Sequence, residues 1–312
     1  MKRTIAGIAA AGFFATLGAT ASHAADLETE RALGLIISGS YESWTGVSVI
    51  GGFDTNGGAT PDNDVHFMSG GEARLSFPLG ETLSIQQDLK YELNSEQLFN
   101  TDSATGVDDY FGYQFQATTH FSFLRDPSTG LLGVFGGFGG GYSDNDEMSA
   151  WFVGGEFQYY LGDWTLQGQA GYFYSDEDEA SAAETMRKAV FGRGVARWYL
   201  TPDSRIQFEA SYANGVSDED EDDAELFEWG ARYDTVVAGL PVVGDTTLFA
   251  RYRGNYFENT DGGVSEEFDD HTFMVGAHWS FGGSSRQEHD RFGVALDSPD
   301  IVRWAQSGEI LD

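Results

Sequence analysis

The sequence predicts an all-β fold, a transmembrane antiparallel up-and-down β-barrel of about twelve strands (range ten to fourteen) with both termini in the periplasm. Three observations lead there: the length of the alternating segments, the alternation of short and long connections, and two bands of aromatic residues. Side chains on a strand alternate faces with period two. Residues 271–282 show this plainly, with Phe273, Val275, Ala277, Trp279 and Phe281 on one parity and Thr272, Met274, Gly276, His278 and Ser280 on the other. Eleven further segments repeat the pattern, at 35–49, 64–77, 82–93, 110–124, 131–142, 149–161, 164–175, 188–200, 205–215, 225–235 and 246–257. A tilted membrane strand needs about 9–11 residues, whereas strands of soluble proteins average about 5–6.

The connections alternate. Short ones lie at 78–81, 125–130, 161–163, 201–204 and 238–245; mostly longer, acidic ones lie at 51–64, 94–109, 143–147, 176–187, 217–224 and 258–270. Short periplasmic turns and longer extracellular loops produce this alternation in membrane barrels. The aromatic bands follow the same geometry. Tyr91, Tyr142, Tyr172, Tyr174, Tyr212 and Tyr256 fall near the long-loop ends of their segments. Phe77, Phe121, Phe123, Tyr159, Trp164, Trp198, Trp279 and Phe281 fall near the short-turn ends. Amphipathic rings collect at the two headgroup levels.

Residues 1–24 have a basic start at Lys2 and Arg3, an apolar stretch and small residues before Ala24, the pattern of a cleaved secretory signal peptide. Residues 25–34 form a short polar lead, 35–282 the barrel, and 283–312 a charged tail. No composition break divides the 312 residues, so one domain is expected. With no Cys, disulfides and thiolate metal sites are excluded. A formal net charge of −33 argues against nucleic acid as a partner, because phosphate contacts need Lys and Arg.

Parity separates two inventories. One is almost free of charge, as a lipid face must be. The other carries Glu72, Arg74, Asp88, Lys90, Glu92, His120, Glu156, Arg193, Arg197, Glu209, Glu228, Arg232, Arg251 and Arg253. These are the candidate lumen-lining residues, with a basic wall on the later strands. Two readings stand: the charges pair and hold a nearly filled interior together, or they frame a wet constriction that selects solutes. The fifth segment places Gly133, Gly137 and Gly139 on the inward parity. Sheet curvature ranks slightly ahead of room for an approaching segment.

The last segment, Met274–Phe281, resembles the C-terminal insertion signal of Gram-negative outer-membrane β-barrel proteins through Gly276, Trp279 and Phe281. The resemblance implies a porin-like barrel in the bacterial outer membrane. It also implies folding by the barrel-assembly machinery into outer-membrane lipids, while the acidic runs could bridge to lipopolysaccharide phosphates through divalent cations. The departure is residues 283–312, which follow a signal that usually ends the chain. For them a disordered periplasmic end ranks first, a short helix near 299–306 second, and a plug entering the barrel third.

No catalytic constellation emerges. His66, His120 and His278 are on the inward parity without a local Ser–His–Asn set, and His271 stands alone near the outer rim. No cofactor is implied. Asp218, Asp220 and Asp222 alternate like the start of a calcium loop, but Asp223 holds the required glycine position and Trp229 the position of the closing glutamate. At most they hold a divalent cation loosely. The expected function is passive diffusion of small hydrophilic solutes or ions. The alternative is a closed structural barrel acting through its acidic loops.

Overall fold

The computed structural model describes residues 37–54, 64–95, 111–143, 146–177, 186–217, 223–240, 244–261, 264–282 and 285–307. Twelve strands run in chain order: β1 (Ser38–Asp54), β2 (Asp64–Pro78), β3 (Leu83–Ser95), β4 (Phe111–Asp126), β5 (Gly130–Ser143), β6 (Asp146–Leu161), β7 (Trp164–Glu177), β8 (Lys188–Thr201), β9 (Ser204–Val216), β10 (Asp223–Leu240), β11 (Gly244–Asp261) and β12 (Val264–Phe281). Each pairs antiparallel with its sequence neighbours, and β1 pairs with β12 from Gly39↔Phe281 to Asp54↔Glu266. The barrel is therefore closed, which leaves no sheet edge in the bilayer.

The alternation places apolar side chains on the outside. On β8, Val190, Trp198 and Leu200 point out while Phe191, Arg193, Val195, Arg197 and Tyr199 point in. Phe138 and Phe273 are each 61% exposed and Val190 60%. Such exposure is stable only where hydrocarbon covers it. Trp164 stacks on Trp198 at 5.6 Å, and Tyr41 on Trp279 at 5.8 Å, at the end with short turns. Trp151 stacks on Tyr174 at 6.0 Å, and Tyr113 on Tyr142 at 5.8 Å, at the end with long loops. We call these the turn end and the loop end.

Three sequence expectations change. The long acidic connection expected at 258–270 is largely strand, because β11 runs to Asp261 and β12 starts at Val264. The connection expected at 238–245 shortens likewise, since β10 reaches Leu240 and β11 begins at Gly244. The third change is the tail. Expected first as a polar periplasmic end, residues 285–307 instead pack inside the barrel. Two short helices, α1 (Arg286–Phe292) and α2 (Ile301–Ala305), are joined by an extended stretch. The chain turns back into the lumen at Gly282, whose φ is +91° and whose missing side chain leaves space that Ser38 would otherwise contest at 2.7 Å. Glycine alone adopts this conformation without strain. Asp218, Asp220, Asp222 and residues 1–36 lie outside the described residues.

Candidate functional site

The interior of the barrel is the site, and the tail divides it into three levels. At the turn end, α1 begins at Ser285, whose hydroxyl accepts from the Glu288 N–H at 3.1 Å, a helix-capping bond. Its Gln287 N–H donates to the Pro202 carbonyl at 2.9 Å, and Arg291 donates to the Gly162 carbonyl. Arg125 donates to the Gly293 carbonyl at 2.7 Å. So α1 sits across the short turns. Behind it, Arg286 Nη1 lies 2.5 Å from His278 Nε2, and His278 Nδ1 lies 3.3 Å from Glu42. Glu42 also takes both terminal nitrogens of Arg232, at 3.1 and 3.0 Å. Arg232 reaches Asp234 at 2.8 Å and stacks 3.8 Å over the Phe249 ring. That ring occupies the space a side chain at Gly276 would need, a contact of 2.4 Å.

At the waist the tail is extended and Asp297 is its hub. The carboxylate takes Arg74 Nη1 at 2.6 Å and Arg197 Nη2 at 2.7 Å. The carbonyl takes Gln167 at 3.0 Å, Gln169 at 2.9 Å and Arg193 at 3.3 Å. Arg197 also reaches Asp290 at 2.7 Å, and Lys90 pairs with Asp300. Gln86 and Gln158 donate to the Leu296 and Ala295 carbonyls at 2.7 and 2.8 Å. Burial would raise the Asp297 carboxyl, but Arg197, Arg74 and Arg193 outweigh it and hold the group well below the usual carboxylate range. Asp300 is likewise lowered against the effect of burial, by Lys90, Arg253 and Arg251.

At the loop end the wall turns apolar on one side, where β5 to β8, β10 and β11 face α2. Phe135, Phe152, Phe173, Phe191, Leu226 and Phe257 face inward, and Ile301, Val302, Trp304 and Ala305 of α2 pack among them. Burial of side chains this size stabilises by roughly 1.5–3 kcal/mol each. The Trp304 indole meets Phe191 edge-on at 5.6 Å, yet its N–H has no acceptor among the described residues. A buried donor left unpaired costs about 1–3 kcal/mol. Arg303 pairs with Glu228 at 3.1 Å and with Asp270, and the Met186 N–H donates to the Ala305 carbonyl at 3.1 Å.

The inward candidates all face this interior, and they pair. Arg193 and Arg251 share Glu209 at 2.9 and 2.5 Å, Arg74 meets Glu72 at 2.5 Å, and Arg253 lies 3.4 Å from Glu92 and 3.5 Å from Asp300. The structure thus has the paired, filled interior, with the tail supplying carboxylates that the barrel wall lacks. The glycines of β5 serve it in part. A side chain at Gly139 would meet Val302 at 2.5 Å and the Phe115 carbonyl at 2.3 Å, and one at Gly141 would meet Gln306 at 2.3 Å. At Gly139 wall and tail both press on the position, so room for an approaching segment accounts for part of what this glycine provides.

Ser298 and His120 form a contact that sequence spacing could not show. Ser298 Oγ lies 3.1 Å from His120 Nε2, and His120 Nδ1 lies 2.9 Å from Glu156. These distances suit a nucleophile and base. However, Asp88 also faces Nε2 at 3.2 Å and takes the Ser298 hydroxyl at 2.7 Å. The serine proton is thus directed to a carboxylate, and the fully buried His120 joins the tail to the wall.

The apolar loop-end residues stand apart from the charged candidates, although they share the inward parity. The signal was present: Phe191 shares a face with Arg193 and Arg197, and Leu226 with Glu228 and Arg232.

The sequence matches no family profile and no curated protein. Solved structures do match. An outer membrane channel from Pseudomonas putida F1 aligns at 12% identity over 79% of this chain and 96% of that one, with a TM-score of 0.53. The fold is that of a bacterial outer-membrane β-barrel. The translocator domain of the autotransporter NalP from Neisseria meningitidis aligns at 12% identity over 78% and 88%, TM-score 0.46. The β domain of the Bordetella autotransporter BrkA aligns at 15% over 78% and 100%, TM-score 0.44. At 12% identity the likeness to the channel is one of fold.

Proposed function

We propose that this protein is an outer-membrane channel for small hydrophilic solutes or ions, closed in this state by its own C-terminal segment. The observation that carries the reading is the course of residues 285–307, from the short turns at one mouth to Met186 at the other, held by charge pairs along the way. Twelve strands lie between the eight that side chains fill and the 16–18 that leave an open pore. The extra space is what the tail takes up. On this reading the wall charges select solutes only after the tail moves, and no catalytic step is assigned to His120 or Ser298.

Planar-bilayer conductance tests it. The full chain is expected to be closed or to open in brief events, and a chain ended at Gly282 to conduct steadily. That truncation leaves Gly276, Trp279 and Phe281 near the terminus, so the implied insertion signal is kept. A truncated barrel that folds but never conducts would favour the second reading, a structural barrel. The filled interior is what speaks for that alternative.

A further inference from the structure

We propose that the loop-end half of the lumen is a binding site for an apolar aromatic molecule about the size of an indole ring, and that Trp304 of the chain itself occupies this site in the closed state. The inference rests on the reading of the tail as a movable plug and names what would compete with its last helix.

The first argument is the wall. Phe135, Phe152, Phe173, Phe191, Leu226 and Phe257 come from β5, β6, β7, β8, β10 and β11 and meet at one level. The same faces carry Glu156, Gln169, Arg193, Glu228 and Arg253 toward the waist. Holding a tail needs no such change of character, since charge pairs and carbonyl bonds hold it at the waist. The phenyl rings lie in tilted pairs, Phe135 to Phe152 and Phe135 to Phe191 at 6.2 Å, and Phe173 to Phe191 at 6.4 Å. Tilted and edge-on contacts of this kind suit a further ring.

The second argument is the occupant. Trp304 is fully buried and its N–H finds no acceptor among the described residues. The site gives the indole donor no acceptor among the described residues. An aromatic hydrocarbon has the same ring shape without that donor, so it fits the site's chemistry better than the residue that fills it.

The third argument is separability. Helix α2 lies beyond Asp300, on the far side of the Asp297 hub, and its ties include Arg303 to Glu228 and Asp270, Met186 to Ala305, Val302 to Gln116 at 3.4 Å, and Asn255 to Ser307 at 3.0 Å. It can leave the loop end while the waist stays locked.

The chain has no cysteine, so single reporters are clean. In the full chain in phospholipid vesicles, Ser307→Cys, fully buried here, is expected to react slowly with a maleimide. Toluene should raise the rate about tenfold, the equivalent of 1.4 kcal/mol, and saturably. Glucose should leave it unchanged, and Ser298→Cys at the waist should not respond to toluene. With Trp304→Ala added, labelling of Ser307→Cys should start fast and slow as toluene fills the vacated ring space beneath the helix. An unchanged Ser307→Cys rate overturns the proposal, as does toluene accelerating all reporters alike or accelerating the Trp304→Ala background. Conductance is read separately. A silent truncated chain with toluene-dependent labelling defeats the channel reading and leaves the site standing.

Discussion

At the scale of single residues, the Asp297 carboxylate ties two wall guanidinium groups, Arg74 and Arg197, while its main-chain carbonyl takes three further bonds. In Asp297→Asn both charge pairs go, while Arg74 keeps Glu72 and Arg197 keeps Asp290. Removing one partner of a buried pair costs about 3–5 kcal/mol. With those surviving partners, about 3 kcal/mol is expected, or on the order of a hundredfold in the docking equilibrium. The open probability of single channels in a bilayer should rise accordingly. The pH dependence follows from the same group. Its carboxyl, and that of Asp300, are lowered in the docked state relative to a free tail, where the ordinary value is about 3.9. Their contribution is therefore fully present above the free value and is lost as pH falls through the docked values. Open probability should be flat from neutral pH to about 5 and climb only below about 4. A rise between pH 7 and 6 would assign closure to a different group.

At the scale of elements, the strands were legible because a membrane wall enforces strict alternation, which a sequence displays directly. Phe273, Val275 and Phe281 are as exposed as their parity required. The hairpin joining β11 and β12 was misread for the complementary reason. Beyond the lipid its residues are polar on both faces, so Glu258 and Glu267, paired across the strands, look like loop in sequence. The fit of tail to β5 was half legible. The glycines signalled missing volume, but what fills it comes from a segment far along the chain, whose scattered apolar residues have no period of their own. Gly141 offers a direct test, because the three atoms nearest a side chain there all belong to Gln306. Gly141→Leu should displace the end of α2 and expose Ser307 while the circular dichroism of the barrel stays unchanged. Gly139→Ala should disturb both, since its side chain would press on the Phe115 carbonyl of β4 as well as on Val302.

At the scale of the molecule, barrel and tail are complementary in charge, and the complement predicts what the open channel prefers. The charge-bearing wall is readable from parity, and its pairing is one of the two readings, but the tail's share in that pairing is not readable, because Asp290, Asp297 and Asp300 follow the last strand. Removing the tail leaves Arg197 without either of its carboxylates, Arg74 without Asp297, and Lys90 and Arg253 without Asp300. Arg193 and Arg251 keep Glu209, and Arg232 keeps Glu42 and Asp234, so these stay balanced. Nearer the loop end the opposite happens, since Glu228 and Asp270 lose Arg303. The emptied lumen therefore has a positive waist behind an acidic mouth. Charged side chains at a constriction set selectivity, while exposed charges at the mouth are screened over about 10 Å at 0.1 M salt. The waist should win, and the chain ended at Gly282 should pass anions ahead of cations in reversal-potential measurements across a salt gradient. Adding Arg197→Gln should move the reversal potential toward zero, and Arg251→Gln should move it further, because it leaves Glu209 with Arg193 alone. Cation selectivity in the truncated chain would mean that the acidic mouth, not the waist, governs passage.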